Sequence, residues 1–550
     1  MKQFLSLFSC LLVLIVLLSY RAASPEKGSI KVTTWDAFGY YMYLPALITY
    51  GDHKKLDWLA AADEKYKLTG GDGWQAQKVE NGNFVFKYLG GVSLLQGPLF
   101  LAGDLAARLT GHPRDGFSPP YQYALGYGII LYCFLGLLVL RRVMLYFFND
   151  RITALSILLL CLATNFIRYA AVDNAQSHAY IFVLYCLVLY TTIQWHRAPR
   201  AGWALLTGYI IGLATICRPT EAIMLFIPLL WHTHNREAAA EKWSMVGRNR
   251  LHLLLAILGG LAGILPQLLY WKSSSGSFIY DVGSKWNFLS PWFRVLVGWE
   301  KGWFIYTPVT IAFVAGLFFL KKYPFRNAVL WFCILNLWII MAWSDWRYGG
   351  SYSTRALVQS YPVFCLALGS FLHRSYQGKF RLLILIAGLM LILINLFQTV
   401  QYDKTVLHFN DMNRKYYGQI FLNPSPSPEQ FSLLDHDVFI ADEEAYKKQV
   451  LINAPALRPI SLNPGSDLTL ADQLLRLPEC QIAYLKIECS ISAPDQLWQN
   501  DLSAAIRTGT DSSKGKVRLY RPMIQNTGFN RYAFYLRLPE NSPVAGLRIW

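Results

Sequence analysis

The chain has 550 residues, 54% of them hydrophobic and only 15% charged, with a formal net charge of +17. An average soluble domain carries about 25% charged residues, and several apolar runs here approach or exceed the roughly 20 residues that cross a bilayer. The composition therefore excludes a soluble globular protein and predicts a polytopic α-helical membrane protein. Because much of the excess positive charge sits in short loops between apolar runs, it reads as a topology signal and argues against nucleic acid as a partner.

In chain order, the first apolar run, about 3–20, predicts an uncleaved first span, because Arg21-Ala22-Ala23-Ser24-Pro25 is a poor cleavage site. The following region, 21–119, is mixed and predicts a large first loop. Within it, residues 88–109 carry Gln96, Pro98, Asp104 and Arg108, which suits helices lying at the interface better than a span. Further spans are expected at about 120–140, 152–170, 175–194, 201–217, 220–232, 250–271, 303–320, 328–344, 355–372 and 381–400, about eleven in all. Charge alternation tests that assignment. Arg141/Arg142/Arg151, His196/Arg197/Arg200, Arg236/Lys242/Arg248/Arg250, Lys321/Lys322/Arg326 and Arg374/Lys379/Arg381 all fall on one side, which is then cytoplasmic. Treating 88–109 as a span would invert every later loop.

The tail, 401–550, is polar, with short alternating runs at Gln481–Glu488, Lys516–Tyr520, Arg531–Arg537 and Gly546–Trp550. These predict the strands of a small C-terminal β-sandwich-like domain, placed outside the cytoplasm by odd span parity. The expected division is 1–400, a transmembrane domain that includes the first loop, and 401–550, a mainly β domain. Of the nine cysteines, Cys10, Cys133, Cys161, Cys186, Cys217, Cys333 and Cys365 lie in apolar runs and read as small core residues. Cys480 and Cys489 bracket a predicted strand and are too far apart to bond.

The polar groups that topology leaves unexplained fall on the non-cytoplasmic side. Asp36 follows the first span closely, flanked by Trp35 and Tyr40. It either caps the helix containing Phe38–Tyr41 or lines a cavity. Asp173 and His178 span one helix end and the next start. Asp173 could cap the following helix, while His178 lies one turn into the membrane, which favours a bundle-facing role. Arg218-Pro219-Thr220-Glu221 forms a turn between two short spans, where Glu221 either serves a site or neutralises Arg218. Asp281 and Glu300 are either site groups or members of a solvated loop. The stretch Trp343–Arg355 carries Trp346, Arg347 and Arg355 among glycines and hydroxyls, and two arginines there exceed what an interfacial aromatic belt needs. The guanidinium fork suits an anionic head group such as phosphate, aromatic rings suit the apolar face of a sugar, and a placed carboxylate suits activation of a hydroxyl. No nucleotide-binding glycine loop occurs.

On Asp36 after the first span, the Arg218–Glu221 turn, and the Trp346-Arg347-Tyr348-Gly349-Gly350-Ser351 to Arg355 loop, the chain resembles GT-C fold integral membrane glycosyltransferases. This is the polyprenyl-phosphate-sugar dependent class that includes protein O-mannosyltransferases and lipid A aminoarabinose transferases. The resemblance covers roughly residues 1–400. It departs from many protein mannosyltransferases at Asp36-Ala37, where a second acid is absent, and this leaves the acceptor open among glycan, lipid and protein. The resemblance implies transfer of a sugar from a polyprenyl-phosphate donor to an acceptor hydroxyl at the extracytoplasmic face of a bacterial inner membrane. It makes Asp36 the catalytic residue and Arg218, Arg347 and Arg355 the donor-phosphate ligands. Trp35, Tyr40, Asp173, His178, Glu221, Asp281, Glu300 and Trp346 would contact sugar or acceptor. Asp36, Asp173, His178 and Asp281 could ligate a divalent metal, but no spacing specifies a site, so the cofactor stays unassigned. A lipid or polysaccharide transporter or flippase is the alternative. Such a protein more often shows internal repeats and mid-membrane charges.

Overall fold

A computed structural model describes residues 3–24, 31–71, 73–376, 380–453, 468–476, 484–492, 500–508, 511–519, 530–538 and 544–550. The chain divides into two compact units, Met1–Thr399 and Val400–Trp550.

The first unit is helical. Its elements are α1 (Phe4–Ala23), α2 (Trp35–Tyr41), α3 (Leu59–Tyr66), α4 (Gly91–Thr110), α5 (Pro119–Leu145), α6 (Asp150–Leu162), α7 (Phe166–Ala171), α8 (Ser177–Arg197), α9 (Ala201–Cys217), α10 (Phe226–Leu230), α11 (Arg236–Arg248), α12 (Arg250–Ser275), α13 (Arg294–Val297), α14 (Trp303–Tyr306), α15 (Thr310–Gly316), α16 (Arg326–Ala342), α17 (Tyr361–Ser375) and α18 (Arg381–Asp403). The first loop adds a small antiparallel pair, β1 (Ala76–Lys78) with β2 (Phe84–Phe86).

Among the described residues, six helices are long and apolar enough to cross a membrane: Phe4–Ala23, Pro119–Leu145, Ser177–Arg197, Arg250–Ser275, Arg355–Ser375 and Arg381–Asp403. Other expected spans are short or broken, and each break has a cause. The segment expected to span 303–320 is interrupted between α14 and α15 at Thr307-Pro308. Proline lacks an amide hydrogen and disfavours the helical conformation of the residue before it. Thr307 accordingly sits at φ −135°, ψ 65°. The segment expected at 152–170 breaks between α6 and α7, where the Thr164 hydroxyl accepts from the Phe166 amide and Asn395 Nδ2 donates to the carbonyls of Leu162 and Thr164. The segment at 220–232 begins as a 3₁₀ turn, Pro219–Leu225, and continues as α10. Residues 88–109 form one helix, α4, which is not among the six.

Burial separates centre from periphery. In the most apolar stretches of Arg355–Ser375 and Ser177–Arg197, 89% and 78% of residues are buried, against 22% in α12 and 17% in α18. The peripheral α12 is held to α9 by glycines. A Cβ at Gly208 would lie 1.8 Å from the Ala256 carbonyl oxygen, at Gly212 2.2 Å from that of Gly260, and at Gly259 2.3 Å from that of Leu205. Without side chains at these crossings the two backbones touch, the small-xxx-small contact that replaces the hydrophobic effect between helices in lipid. The far end of α12 then supports the first loop. Gln267 Oε1 accepts from the Gly90 amide (2.7 Å), the Tyr270 hydroxyl from the Phe86 amide (2.9 Å), and the Ser274 carbonyl from Asn81 Nδ2 (2.9 Å).

The second unit contains the short helices α19 (Arg414–Ile420) and α20 (Pro428–Ser432) and two antiparallel sheets. Strands β3 (Ala471–Arg476), β8 (Val544–Ile549), β5 (Asp501–Thr508) and β6 (Asp511–Arg518) form one in that order. Strands β4 (Tyr484–Ile491) and β7 (Asn530–Arg537) form the other. Alternate residues from both sheets, among them Ile487, Leu502, Val517 and Phe534, share one apolar core, as period-2 patterning requires. Cys489 is free, and Cys480 lies outside the described residues.

Candidate active site

Asp36 sits in the first turn of α2, but Thr34 occupies the N-cap position, so the carboxylate does not serve as that helix's cap. Its oxygens are taken by two long-range partners. Tyr88 donates its hydroxyl to Oδ1 at 2.9 Å and Arg355 donates Nη2 to Oδ2 at 2.5 Å. Arg355 also donates Nη1 to Gln176 Oε1 at 2.9 Å. The pair is sheltered but reachable, with 25% of the Asp36 side chain and 11% of the Arg355 side chain exposed. Burial pushes the Asp36 carboxyl up. The Arg355 charge and the hydrogen bonds from Tyr88 and Arg355 outweigh this and hold it below the usual carboxylate range.

Local sequence explains how Asp36 is aimed. Trp35 adopts a left-handed conformation (φ 53°), and its amide donates to the Leu68 carbonyl at 2.8 Å. Its ring covers Gly70, where a Cβ would lie 2.7 Å from the indole. Gly39 leaves space for the Tyr88 ring, which a Cβ would meet at 2.2 Å. Tyr40 packs on the same ring, 4.4 Å between centroids. Trp35 itself is exposed, whereas Tyr40 is buried within electrostatic reach of Arg218, Asp36 and Arg355.

A second polar group lies one helical turn beyond Arg355, around Gln359. Its Nε2 donates to Glu221, and its Oε1 faces His178 Nδ1 at 2.9 Å and Arg218 Nη1 at 3.4 Å. Arginine only donates, so the oxygen of Gln359 is the atom that faces Arg218, and it makes Nδ1 the protonated nitrogen of His178. Glu221 also accepts from Tyr185 at 2.6 Å and Thr220 at 3.2 Å. Arg218 and Glu221 form no direct ion pair among the described contacts. Arg218 instead lies over the Tyr348 ring, 6.0 Å from its centroid. Both Arg218 and Arg355 lie within electrostatic reach of His178.

The structure thus gathers Asp36, Tyr40, His178, Arg218, Glu221 and Arg355. It does not bring the other candidates into this network. Asp173 pairs with Arg168 through two bonds of 2.8 and 3.0 Å, and Gln176, not Asp173, holds the N-cap position of α8. Asp281 is exposed and accepts from the Gly283 amide at 2.8 Å. Glu300 is half-buried in the turn Gly298–Gly302. Arg347 is exposed, its guanidinium 5.1 Å from the Trp346 ring centroid, with Arg294 4.9 Å from the same ring. Among the described residues no three or more His, Cys, Asp or Glu side chains gather as a metal site would require, so Asp36, Asp173, His178 and Asp281 do not form a ligand set.

Sequence reasoning missed Tyr88, Gln176, Tyr185 and Gln359. A buried glutamine inside an apolar segment carries a signal, since polar groups in a membrane need partners. Tyr88 carries none, being one of 33 tyrosines.

No family model and no curated protein matches the chain. Solved structures resemble it at low identity. The archaeal oligosaccharyltransferase AglB from Archaeoglobus fulgidus, in complex with an inhibitory peptide and a dolichol-phosphate, gives a TM-score of 0.42 at 12% identity. That match covers 76% of this chain and 57% of that one. ArnT from Cupriavidus metallidurans in the apo state gives 0.42 at 15% identity, over 75% of this chain and 68% of that one. The Archaeoglobus fulgidus oligosaccharyltransferase tethered to an acceptor peptide containing the NVT sequon gives 0.43 at 11%, over 79% and 59%. The chain spans less than two thirds of the length of the archaeal enzyme.

Proposed function

We propose that the chain is a GT-C-type membrane glycosyltransferase that moves a sugar from a polyprenyl-phosphate donor to an acceptor hydroxyl at the extracytoplasmic face. The observation that carries this reading is the Asp36–Arg355 pair, a partly open carboxylate joined to a guanidinium, with Arg218 close by. It puts a proton acceptor beside cations suited to phosphate, which is the minimum that the reaction needs.

The donor's phosphate oxygens compete with Asp36 for Arg355. As Arg355 turns to the phosphate, Asp36 loses its strongest stabilising charge and becomes more basic. Asp36 then takes the proton of the acceptor hydroxyl. The acceptor oxygen forms a bond to the sugar C1, the C1–O bond to phosphate breaks with its electron pair leaving on the phosphate, and Arg355 and Arg218 stabilise that anion. Inversion at C1 follows from a single displacement. Gln359 holds Arg218 and is itself held by Glu221 and His178. Arg347, Trp346, Asp281 and Glu300 stand outside this network, and the reading leaves them to the acceptor.

The same reading has about eleven crossings, the short and broken helices included. It places the Asp36 face and 401–550, folded as a sandwich, outside the cytoplasm of a bacterial inner membrane. The C-terminal domain then engages acceptor or partners and takes no part in the chemistry. Transfer of labelled sugar by the purified protein from a panel of polyprenyl-phosphate sugars tests the proposal. Turnover with one donor, lost in Asp36→Asn while donor binding persists, supports it. Donor translocation without sugar transfer would favour a flippase.

A further inference from the structure

The segment between α12 and α14 has two unlike faces. Its inner face is fixed. Thr354, which precedes Arg355, donates its hydroxyl to the carbonyls of Val295 (2.8 Å) and Lys301 (3.1 Å), and Val295 is buried. Its outer face is apolar and uncovered. Phe278, Ile279, Phe288, Leu289, Phe293 and Val297 are all exposed, Ile279 at 78% and Leu289 completely. A contiguous exposed apolar patch of this kind signals an interaction surface.

Two observations set the height of that patch. The exposed stripe Leu254, Leu258, Leu261, Leu265 and Leu269 runs down α12 at helical spacing and leads directly into Phe278 and Ile279. Independently, the backbone of the segment pairs with the last turn of the apolar helix α16. The Asn287 amide donates to the Ala342 carbonyl (2.6 Å), the Trp292 amide to that of Met341 (2.8 Å), and Trp286 and Trp343 form a β-bridge. Phe288, Leu289 and Phe293 therefore lie level with the end of the apolar helix α16, and Phe278 and Ile279 follow the exposed leucine stripe of α12. Cations lie beside aromatic rings here, with Lys272 5.3 Å from the Phe278 centroid and Arg294 5.3 Å from that of Trp292. This matches a membrane interface, where rings sit at headgroup level and long basic side chains reach lipid phosphates.

We propose that residues 277–299 are seated in the lipid interface of the leaflet on the Asp36 side, with these six apolar side chains among the upper acyl chains. Because the inner face holds Thr354, this seating sets the height of Arg355 relative to the bilayer. The inference needs the membrane architecture only and stands whether or not the chain transfers sugars.

The test uses the full chain in liposomes, with an environment-sensitive nitrobenzoxadiazole label at Leu289→Cys, at Ile279→Cys and, as a control, at the exposed Glu444→Cys, each compared with the unsubstituted protein labelled in parallel. Both loop labels should emit to the blue of the control and lose most emission to lipids carrying a quencher near the headgroup, with less loss to a quencher at the bilayer centre. Loop labels that emit and quench like the control overturn the proposal. Shielding that grows with protein density at constant lipid also overturns it, by assigning the face to a second copy of the chain.

Discussion

Asp36 and Arg355 lie 319 positions apart and meet at 2.5 Å, so one contact ties the first loop to the segment after α16. Its pH signature follows from the sign of the shift. The folded Asp36 pKa lies below its unfolded value of about 3.9. The pair's stabilisation is thus fully present above that value and is lost as pH falls through the lower folded pKa. Thermal melts of wild type and Asp36→Asn should differ by a constant amount above about pH 5, and the difference should shrink as pH falls through the lowered Asp36 pKa. A difference that instead changes between pH 6 and 8 would mean a different group titrates. Tyr88 is the second support. Gly39→Ala puts a methyl into its ring, which costs about 1–3 kcal/mol of stability as overpacking does. Tyr88→Phe keeps the ring in place and removes one hydrogen bond to a charged group, about 1.5–3 kcal/mol. Both variants should raise the Asp36 pKa, readable as an upward shift of the acid limb of kcat/KM. An unmoved limb in Tyr88→Phe contradicts the role given to that hydroxyl.

At the scale of elements, the α9–α12 crossing is the part most exposed to single changes. Gly212→Leu forces two backbones apart where a Cβ would already be 2.2 Å from the Gly260 carbonyl. It should lower the melting temperature and, by moving Gln267 and Tyr270, loosen the first loop, read as faster hydrogen exchange at Phe86 and Gly90. Unchanged exchange there would separate the two functions of α12. Continuous spans such as α5 and α12 were legible because an apolar run of that length has one stable arrangement in lipid. The breaks after Leu162 and around Pro308 were less legible. The first depends on Asn395 from a distant helix supplying the missing hydrogen bonds, and no local pattern encodes that. Strands β4, β6, β7 and β8 were legible from alternation, whereas β3 and β5 were not named and the order β3-β8-β5-β6 depends on contacts between distant segments. In the site, charged residues stand out against an apolar background, so Asp36, Arg218, Glu221 and Arg355 could be picked out. Gln176 and Gln359 were missed although a glutamine in an apolar segment is a signal, because nothing local names its partner, and Tyr88 could not be picked out from the other tyrosines.

The first unit combines a buried helical centre, peripheral helices with exposed apolar faces and the polar network around Asp36 and Arg355. The topology proposed for the whole molecule predicts that single cysteines at Glu241 and Asp437 react with an impermeant thiol reagent from opposite sides of a sealed vesicle. Reaction from the same side would overturn that topology. The central claim is that Asp36 accepts the acceptor's proton while Arg355 receives the donor's phosphate. It is tested most directly by measuring, on Asp36→Asn, both sugar transfer from a defined polyprenyl-phosphate donor and binding of that donor. Loss of a positioned general base should cut turnover by about 10²–10⁴-fold, with donor binding retained or tightened because Arg355 is released. Near-normal turnover by Asp36→Asn would contradict the account.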